Sequence, residues 1–325
     1  MFRIAVLDDY QDAAHELADW GSISDAELQF FHNTLHEPGA LIKRLKPFNV
    51  LMTMRERTRF PAEVLEGLPN LRLISGTGRR QSNVDIATAT RLGITVCSGA
   101  GGGGSAGSTA ELTWALILSC FRHLALEDRE IRQGHWQTRL GSGLEGKALG
   151  ILGLGRIGTR VAKIGQAFGM HVISWGPTLT RERAKEHGVT YVSWEGLFSD
   201  ADVLSIHVTL SDLSRGWVGA KEFGLMRPTA YLINTARSAI VDQSALLDAL
   251  GNGSIAGAGL DVYDEEPLPP GDPMLGLDNT VLAPHLGYAT RESLAAFYRD
   301  AIANVIAWQA GSPVNVENPD VLKKT

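Results

Sequence analysis

Hydrophobic positions in this chain fall into two kinds of segment: short unbroken apolar runs, and longer stretches where apolar side chains recur every three or four residues. The short runs predict strands at residues 4–7, 28–31, 50–54, 71–75 and 94–96. Between them, 12–20 and 61–67 read as amphipathic helices, with Pro61 placed as a first-turn proline. A second series predicts strands at 148–152, 171–175, 203–207, 231–234, 258–262 and 280–282. Its helices start after Gly155 and near Arg181, Ala220 and Ser244. A helix over 109–121 separates the two series, and another over 291–310 follows the second. Strands and helices alternating in this order predict an α/β protein with parallel sheets covered by helices. Two such series in 325 residues predict two domains.

Composition narrows the class of partner. The chain is 44% hydrophobic and 20% charged, with a formal net charge of −6 and acids and bases well mixed. That balance argues against nucleic acid or an anionic membrane as the main partner. No apolar run reaches the ~18 residues a bilayer span needs, and 112–121 has the length of a buried helix. The opening "MFRIAVLDDY" reads as a strand, too soon charged for a signal peptide, so a cytoplasmic protein is expected. Cys97 and Cys120 are too few for a disulfide framework and read as small buried hydrophobes in a reducing compartment.

The strongest chemical signal is "ALGILGLGRIGTRVAKIGQAFGMHVISW". An apolar strand runs straight into Gly153-Leu154-Gly155-Arg156-Ile157-Gly158, a helix follows, and Gly169 caps it before the next strand. In that context the motif binds a dinucleotide. Gly153 permits the tight turn, Gly155 lets the backbone approach a pyrophosphate, and Gly158 lets helix and strand pack closely. The helix start at Arg156 and Ile157 offers N–H groups and partial positive charge. An acid for the adenosine ribose belongs at the end of the second strand, where Gly176 stands instead. Its absence leaves the pyrophosphate site intact and relaxes selectivity for NAD or tips it toward NADP. Thr178, Thr180, Arg181 and Arg183 offer hydroxyls and guanidinium groups for a 2′-phosphate, unless Arg181 and Arg183 lie on the solvated first turns of a helix.

Three later stretches place polar residues just past buried strands, where side chains open into the cofactor crevice of a doubly wound sheet. They are "LINTARSAIVD" with Thr235, Ala236 and Arg237, "GAGLDVYDEEP" with Asp261 and Glu266, and "LAPHLGYAT" with His285 and Gly287. Together with "GKALGILGLGRIG", in this order and spacing, they make the sequence resemble the D-isomer-specific 2-hydroxyacid dehydrogenases. That family includes phosphoglycerate dehydrogenases and glyoxylate or hydroxypyruvate reductases, and the likeness is close over residues 107–290.

The resemblance implies an NAD(P)-dependent oxidoreductase moving a hydride between nicotinamide and a small D-2-hydroxy or 2-oxo acid. Arg237 would bind the substrate carboxylate, a task suited to a guanidinium fork. His285 would be the acid/base and Glu266 would orient it. No metal is needed, because the hydride passes directly to the cofactor. Asp261 would lie near the nicotinamide ribose or amide, or else serve in packing or strand-end capping, and His207 reads as structural. Val208 and Thr209 fall where the family's cofactor-contacting residue and proline sit. The family architecture further implies a Rossmann nucleotide domain, 103–286, inserted into a flavodoxin-like substrate domain, 1–102 and 287–325. Substrate would bind in a cleft that closes to exclude water. It also implies a homodimer joined through the nucleotide domain, with the apolar helix 109–121 as candidate surface.

Two segments depart from the family. "SGTGRRQSNVD" carries Gly78, Arg79 and Arg80 where a shorter glycine-rich loop grips the substrate carboxylate. The two arginines either reach a second anionic group on the substrate or are solvated. The run Gly101–Gly104 reads either as a hinge or as a backbone-lined anion site. A different class of function also fits the motifs: a cofactor-sensing scaffold like the dehydrogenase-related corepressors. Formate dehydrogenase chemistry is disfavoured, since it needs no proton transfer through Glu266 and His285.

Overall fold

A computed structural model describes residues 1–78, 80–99 and 105–324. Arg79, the Gly101–Gly104 run and the expected crossing at 102/103 lie outside the described residues. The chain divides into two compact units, Met1–Gly104 with Thr290–Thr325, and Ser105–Ala289. The second unit runs past the expected boundary at 286 because the Gly287 carbonyl is held by the hydroxyls of Ser108 and Thr109.

The first unit contains strands β1 (Phe2–Val6), β2 (Ala26–Phe30), β3 (Val50–Thr53), β4 (Leu73–Gly76) and β5 (Thr95–Cys97). All pair in parallel in the order β2-β1-β3-β4-β5, the flavodoxin-like winding. Strands β3 and β4 are buried along their whole length, as a sheet covered on both faces requires. Helices α1 (Ala14–Leu17), α2 (Pro38–Leu45), α3 (Ala62–Glu66) and α4 (Ile86–Arg91) cover it, with the helix Arg291–Gln309 packed on β4.

The helix predicted over 12–20 is reduced to one turn. Asp12 takes φ 51, and the Asp9 carboxylate accepts from the N–H groups of Ala13 and Ala14 and fixes a late start. Pattern reading missed α2 and α4, whose starts depend on local capping. The Glu37 carboxylate accepts from Gly39 N–H at 2.8 Å, and the Asp85 carboxylate accepts from Thr88 N–H at 2.9 Å.

The second unit opens with α5 (Ser105–Arg122) and α6 (Leu124–Arg132), then alternates β6 (Ala148–Leu152), α7 (Arg156–Ala167), β7 (His171–Trp175), α8 (Arg181–Glu186), β8 (Thr190–Tyr191), α9 (Trp194–Asp200), β9 (Val203–Ile206), α10 (Ala220–Phe223), β10 (Tyr231–Asn234), α11 (Gln243–Gly251), β11 (Gly257–Leu260) and β12 (Thr280–Leu282). The parallel order β12-β11-β10-β9-β6-β7-β8 is the doubly wound Rossmann winding, reversing between β6 and β9. The short strand β8 and the helices α6 and α9 were not foreseen from the pattern.

Helix α5 corrects one expectation. Ala110, Trp114, Leu116, Ile117, Cys120 and Phe121 point into the core of their own unit, so the apolar face offered as a dimer surface is already covered. The exposed apolar side chains lie just beyond it. Helix α6 buries no residue at all, and Leu124, Ile131, Trp136 and Leu140 are 61%, 51%, 75% and 96% exposed. Among the described residues no helix is long and apolar enough to cross a membrane.

Candidate active site

The turn between β6 and α7 is shaped by two of its three glycines. Gly153 has φ +99, and a Cβ there would stand 2.7 Å from Val208 Cγ1. A Cβ on Gly158 would stand 2.3 Å from the Gly153 carbonyl oxygen, so only glycine lets the helix start this close to the strand. Gly155 is different: a Cβ there meets no protein atom within 4 Å. Packing gives no reason for glycine at 155, whereas a pyrophosphate laid against the turn does. The start of α7, at Arg156 and Ile157, has no side-chain cap, which leaves its first N–H groups to an anionic ligand. The residues present therefore fit a dinucleotide.

Gly176 closes β7 under looser conditions. A Cβ there would have ordinary contacts of 3.6 Å, so sterics do not exclude a larger residue. Beyond it Thr178 is exposed, and Thr180 caps α8 by accepting from Arg183 N–H at 3.2 Å. The Arg183 side chain reaches back, its Nη2 donating to the Leu154 carbonyl at 2.8 Å inside the glycine turn. Arg181 instead lies over the Tyr191 ring, 5.4 Å from its centroid. The structure thus separates two arginines that the sequence could not rank.

His207, just after β9, donates its backbone N–H to the Leu152 carbonyl at 2.8 Å, and its Nε2 lies 2.8 Å from Ser205 Oγ. Burial pushes its pKa down from 6.5 to about 3, so the ring stays neutral and structural at working pH. Val208 packs against the glycine turn and Thr235 shares a 2.9 Å hydroxyl pair with Thr113 of α5.

Arg237, Glu266 and His285 follow β10, β11 and β12, three adjacent strands, at their carboxyl ends. The fold brings Glu266 and His285 together: Nδ1 of the half-buried imidazole lies 2.6 Å from Glu266 Oε2. A carboxylate only accepts, so Nδ1 carries the proton in this bond, and Nε2 is the ring nitrogen that can exchange one. The other carboxylate oxygen, Oε1, accepts from Tyr263 N–H at 3.0 Å, which fixes the acid in its loop. Arg237 is half-buried on extended backbone and donates from Nη1 to the Ala236 carbonyl at 2.7 Å.

Several supporting residues escaped sequence reasoning. Asn234 brackets the Arg237 turn, accepting from Ala236 N–H and donating to the Arg237 carbonyl, both at 3.0 Å. A polar residue closing the apolar strand "YLIN" was its available signal. Tyr263 donates to the carbonyls of Leu260 and Ala283, tying the ends of β11 and β12 together. Burial first, then the nearby Asp261 and Glu266, raises its pKa, so it remains a donor. In the first unit, Gly78 accepts from Gly99 N–H at 2.8 Å and Arg80 is exposed.

The profile of the D-isomer specific 2-hydroxyacid dehydrogenase NAD binding domain matches residues 114–287. A glyoxylate reductase of Aeropyrum pernix is 42% identical over 293 residues, covering 87% of each chain. The chain belongs to the D-isomer specific 2-hydroxyacid dehydrogenase family. A D-3-phosphoglycerate dehydrogenase of Archaeoglobus fulgidus is 36% identical over 276 residues, 84% of this chain and 52% of that one. The crystal structure of a phosphoglycerate oxidoreductase from Vibrio cholerae superposes with a TM-score of 0.91 at 37% identity, covering 96% and 100% of the two chains. This family member is an NAD(P)-dependent oxidoreductase of 2-hydroxy and 2-oxo acids, and the scaffold alternative is not favoured by relatives that are enzymes.

The displaced pKa of His207 has a consequence for stability. Between pH 3 and 6.5 the unfolded chain binds a proton at this ring that the folded chain does not, so stability falls as pH drops below about 6.5. Denaturant unfolding at about pH 7 and about pH 5 should show the parent losing at most about 2 kcal/mol more than His207→Asn. Equal losses in both proteins would contradict the assignment.

Proposed function

We propose that the protein is a cytoplasmic reductase of small 2-oxo acids, running reversibly as a D-2-hydroxyacid dehydrogenase, with Arg237, Glu266 and His285 as its reaction centre. The 2.6 Å contact between His285 and Glu266 carries this reading, because it is the arrangement a general acid/base needs. In the reductive direction Nε2 of the imidazolium gives its proton to the carbonyl oxygen as that oxygen becomes a hydroxyl. In the oxidative direction Nε2 takes the proton back. Glu266 holds the ring in one tautomer and stabilises its charged form. Arg237 pairs with the substrate carboxylate and sets the C2 carbon in register with the histidine. A bound nicotinamide cofactor supplies or accepts the hydride at C2.

The glycine turn Gly153–Gly158 is assigned to the pyrophosphate, with Val208, Thr235, Ala236 and Gly287 along the cofactor. Unit 1 is assigned to the substrate, with Gly78 and Arg80 in its loop. Relatives named glyoxylate reductase favour a short oxo acid such as glyoxylate or hydroxypyruvate. Turnover of a panel of 2-oxo acids with both reduced cofactors tests the reading. Substrate should be consumed by the parent, and His285→Ala should lower kcat by about a hundredfold to ten-thousandfold. Turnover by His285→Ala at the parent's rate would refute the assignment.

With no acid at Gly176 and Arg183 anchored beside the glycine turn, we assign the nucleotide preference as relaxed or tipped toward NADPH. Arg183→Ala should lower the ratio of kcat/KM for NADPH over NADH by about tenfold, the scale of one charge-assisted hydrogen bond. A hundredfold preference of the parent for NADH would overturn this.

The exposed α6 and the apolar side chains of Trp136 and Leu140 support a homodimer joined at this surface. Light scattering should give about twice the 35.0 kDa chain mass, falling to the monomer in Trp136→Arg/Leu140→Arg. A parent that is monomeric at micromolar concentration would rule the surface out.

A further inference from the structure

Asp261 stands just past β11 with 1% of its surface exposed. Sequence reasoning gave it to the nicotinamide, yet its carboxylate grips backbone. Oδ1 accepts from Leu286 N–H at 2.6 Å and Oδ2 from Gly287 N–H at 2.9 Å. These are the two amides that directly follow His285.

His285 itself has φ 54, a left-handed conformation that a residue with a Cβ seldom adopts. Something must hold it there. The Gly287 carbonyl accepts from Ser108 Oγ at 2.9 Å and from Thr109 Oγ1 at 2.8 Å, so the residue is fixed from both sides. A Cβ at position 287 would stand only 3.1 Å from Asp261 Oδ2, which makes glycine part of the clamp. The Tyr288 ring meets the imidazole edge-on at 5.7 Å between centroids.

We propose that Asp261 is a positioning residue for the acid/base: by binding the amides of Leu286 and Gly287 it locks the left-handed turn at His285 and so aims the imidazole at Glu266. A carboxylate is the side chain for this task because it presents two strong acceptors at a fixed separation to two successive N–H groups. The inference rests on the reading of His285 as the acid/base.

Asp261→Asn is close to isosteric but offers one acceptor oxygen, so one of the two amides loses its partner. Three measurements test it. At saturating cofactor and substrate, kcat should fall by about tenfold to a hundredfold, matching the loss of one hydrogen bond to a charged group. Fluorescence titration with NADH and NADPH should give Kd values within about twofold of the parent, on the scale of an unaltered site. The low-field NMR signal of the His285 Nδ1 proton, assigned by its loss in His285→Ala, should broaden or vanish. Should Asp261→Asn fail to fold, Thr109→Val removes one of the two hydroxyls that hold the Gly287 carbonyl, and should lower kcat and broaden the Nδ1 signal while leaving both Kd values within about twofold. A Kd raised tenfold with kcat unchanged would overturn the proposal and return Asp261 to the cofactor. If the parent turns over no 2-oxo acid, the reading of His285 fails separately. The NMR signal then decides alone, and its persistence in Asp261→Asn overturns the clamp.

Discussion

The hydrogen bond between His285 Nδ1 and Glu266 Oε2 joins two loops that meet only because β11 and β12 pair in one register. Ala258 lies opposite Thr280, Gly259 opposite Val281 and Leu260 opposite Leu282. A slip of one residue would move one loop by about 3.3 Å and turn its strand over, separating ring from carboxylate. Tyr263 guards that register, because its hydroxyl bonds carbonyls at the ends of both strands. The chemistry of the site is therefore a property of sheet pairing before it is one of side chains.

Helix α5 adds a second constraint. Gly259 has Leu116 Cβ 3.0 Å from where its own Cβ would be, so the helix can lie this close only over a residue without one. The close approach sets Ser108 and Thr109 against the Gly287 carbonyl and Thr113 against Thr235. On the far side of the sheet, Trp175, Trp194 and Trp217 meet edge to face at 4.7–5.7 Å, and Trp194 Nε1 donates to Glu222. The rings anchor the segments that leave β7 and β9, where the nucleotide end of the site begins. Rigid elements thus support both ends of the candidate site within one unit.

Much of this was legible in the chain. Buried parallel strands read as apolar runs, and each predicted strand overlaps one in the structure, including the edge strand β2, which exposes Glu27 and Gln29. Strands β6, β7, β10 and β12 match to the residue, while 258–262 overran because Asp261 and Val262 belong to the loop that carries the clamp. Helices α2, α4, α6 and α9 were not legible. Three of them begin at local caps, Glu37, Asp85 and Ser193, and α6 has no buried face to give a periodicity. The glycine turn could be read because close packing demands its residue types, whereas the pairing of Glu266 with His285 came only from the resemblance to the family. Roles defined by backbone contacts could not be read: nothing in "GLDVYDEEP" says that one acid binds amides and another binds a ring.

That distinction is the physical lesson of the site. Asp261 and Glu266 are five positions apart on one loop, both are acids, and both lie beside the same histidine segment. Burial separates them: Asp261 is almost wholly enclosed, whereas the Glu266 side chain is 20% exposed. An enclosed carboxylate is tolerated when strong donors face it, and two backbone amides are donors that cannot titrate or swing away. A partly open carboxylate beside an imidazole can instead respond as the ring gains and loses its proton. In the proposed site one acid fixes where the histidine sits and the other answers its charge, so an exchange of the two would remove both contacts.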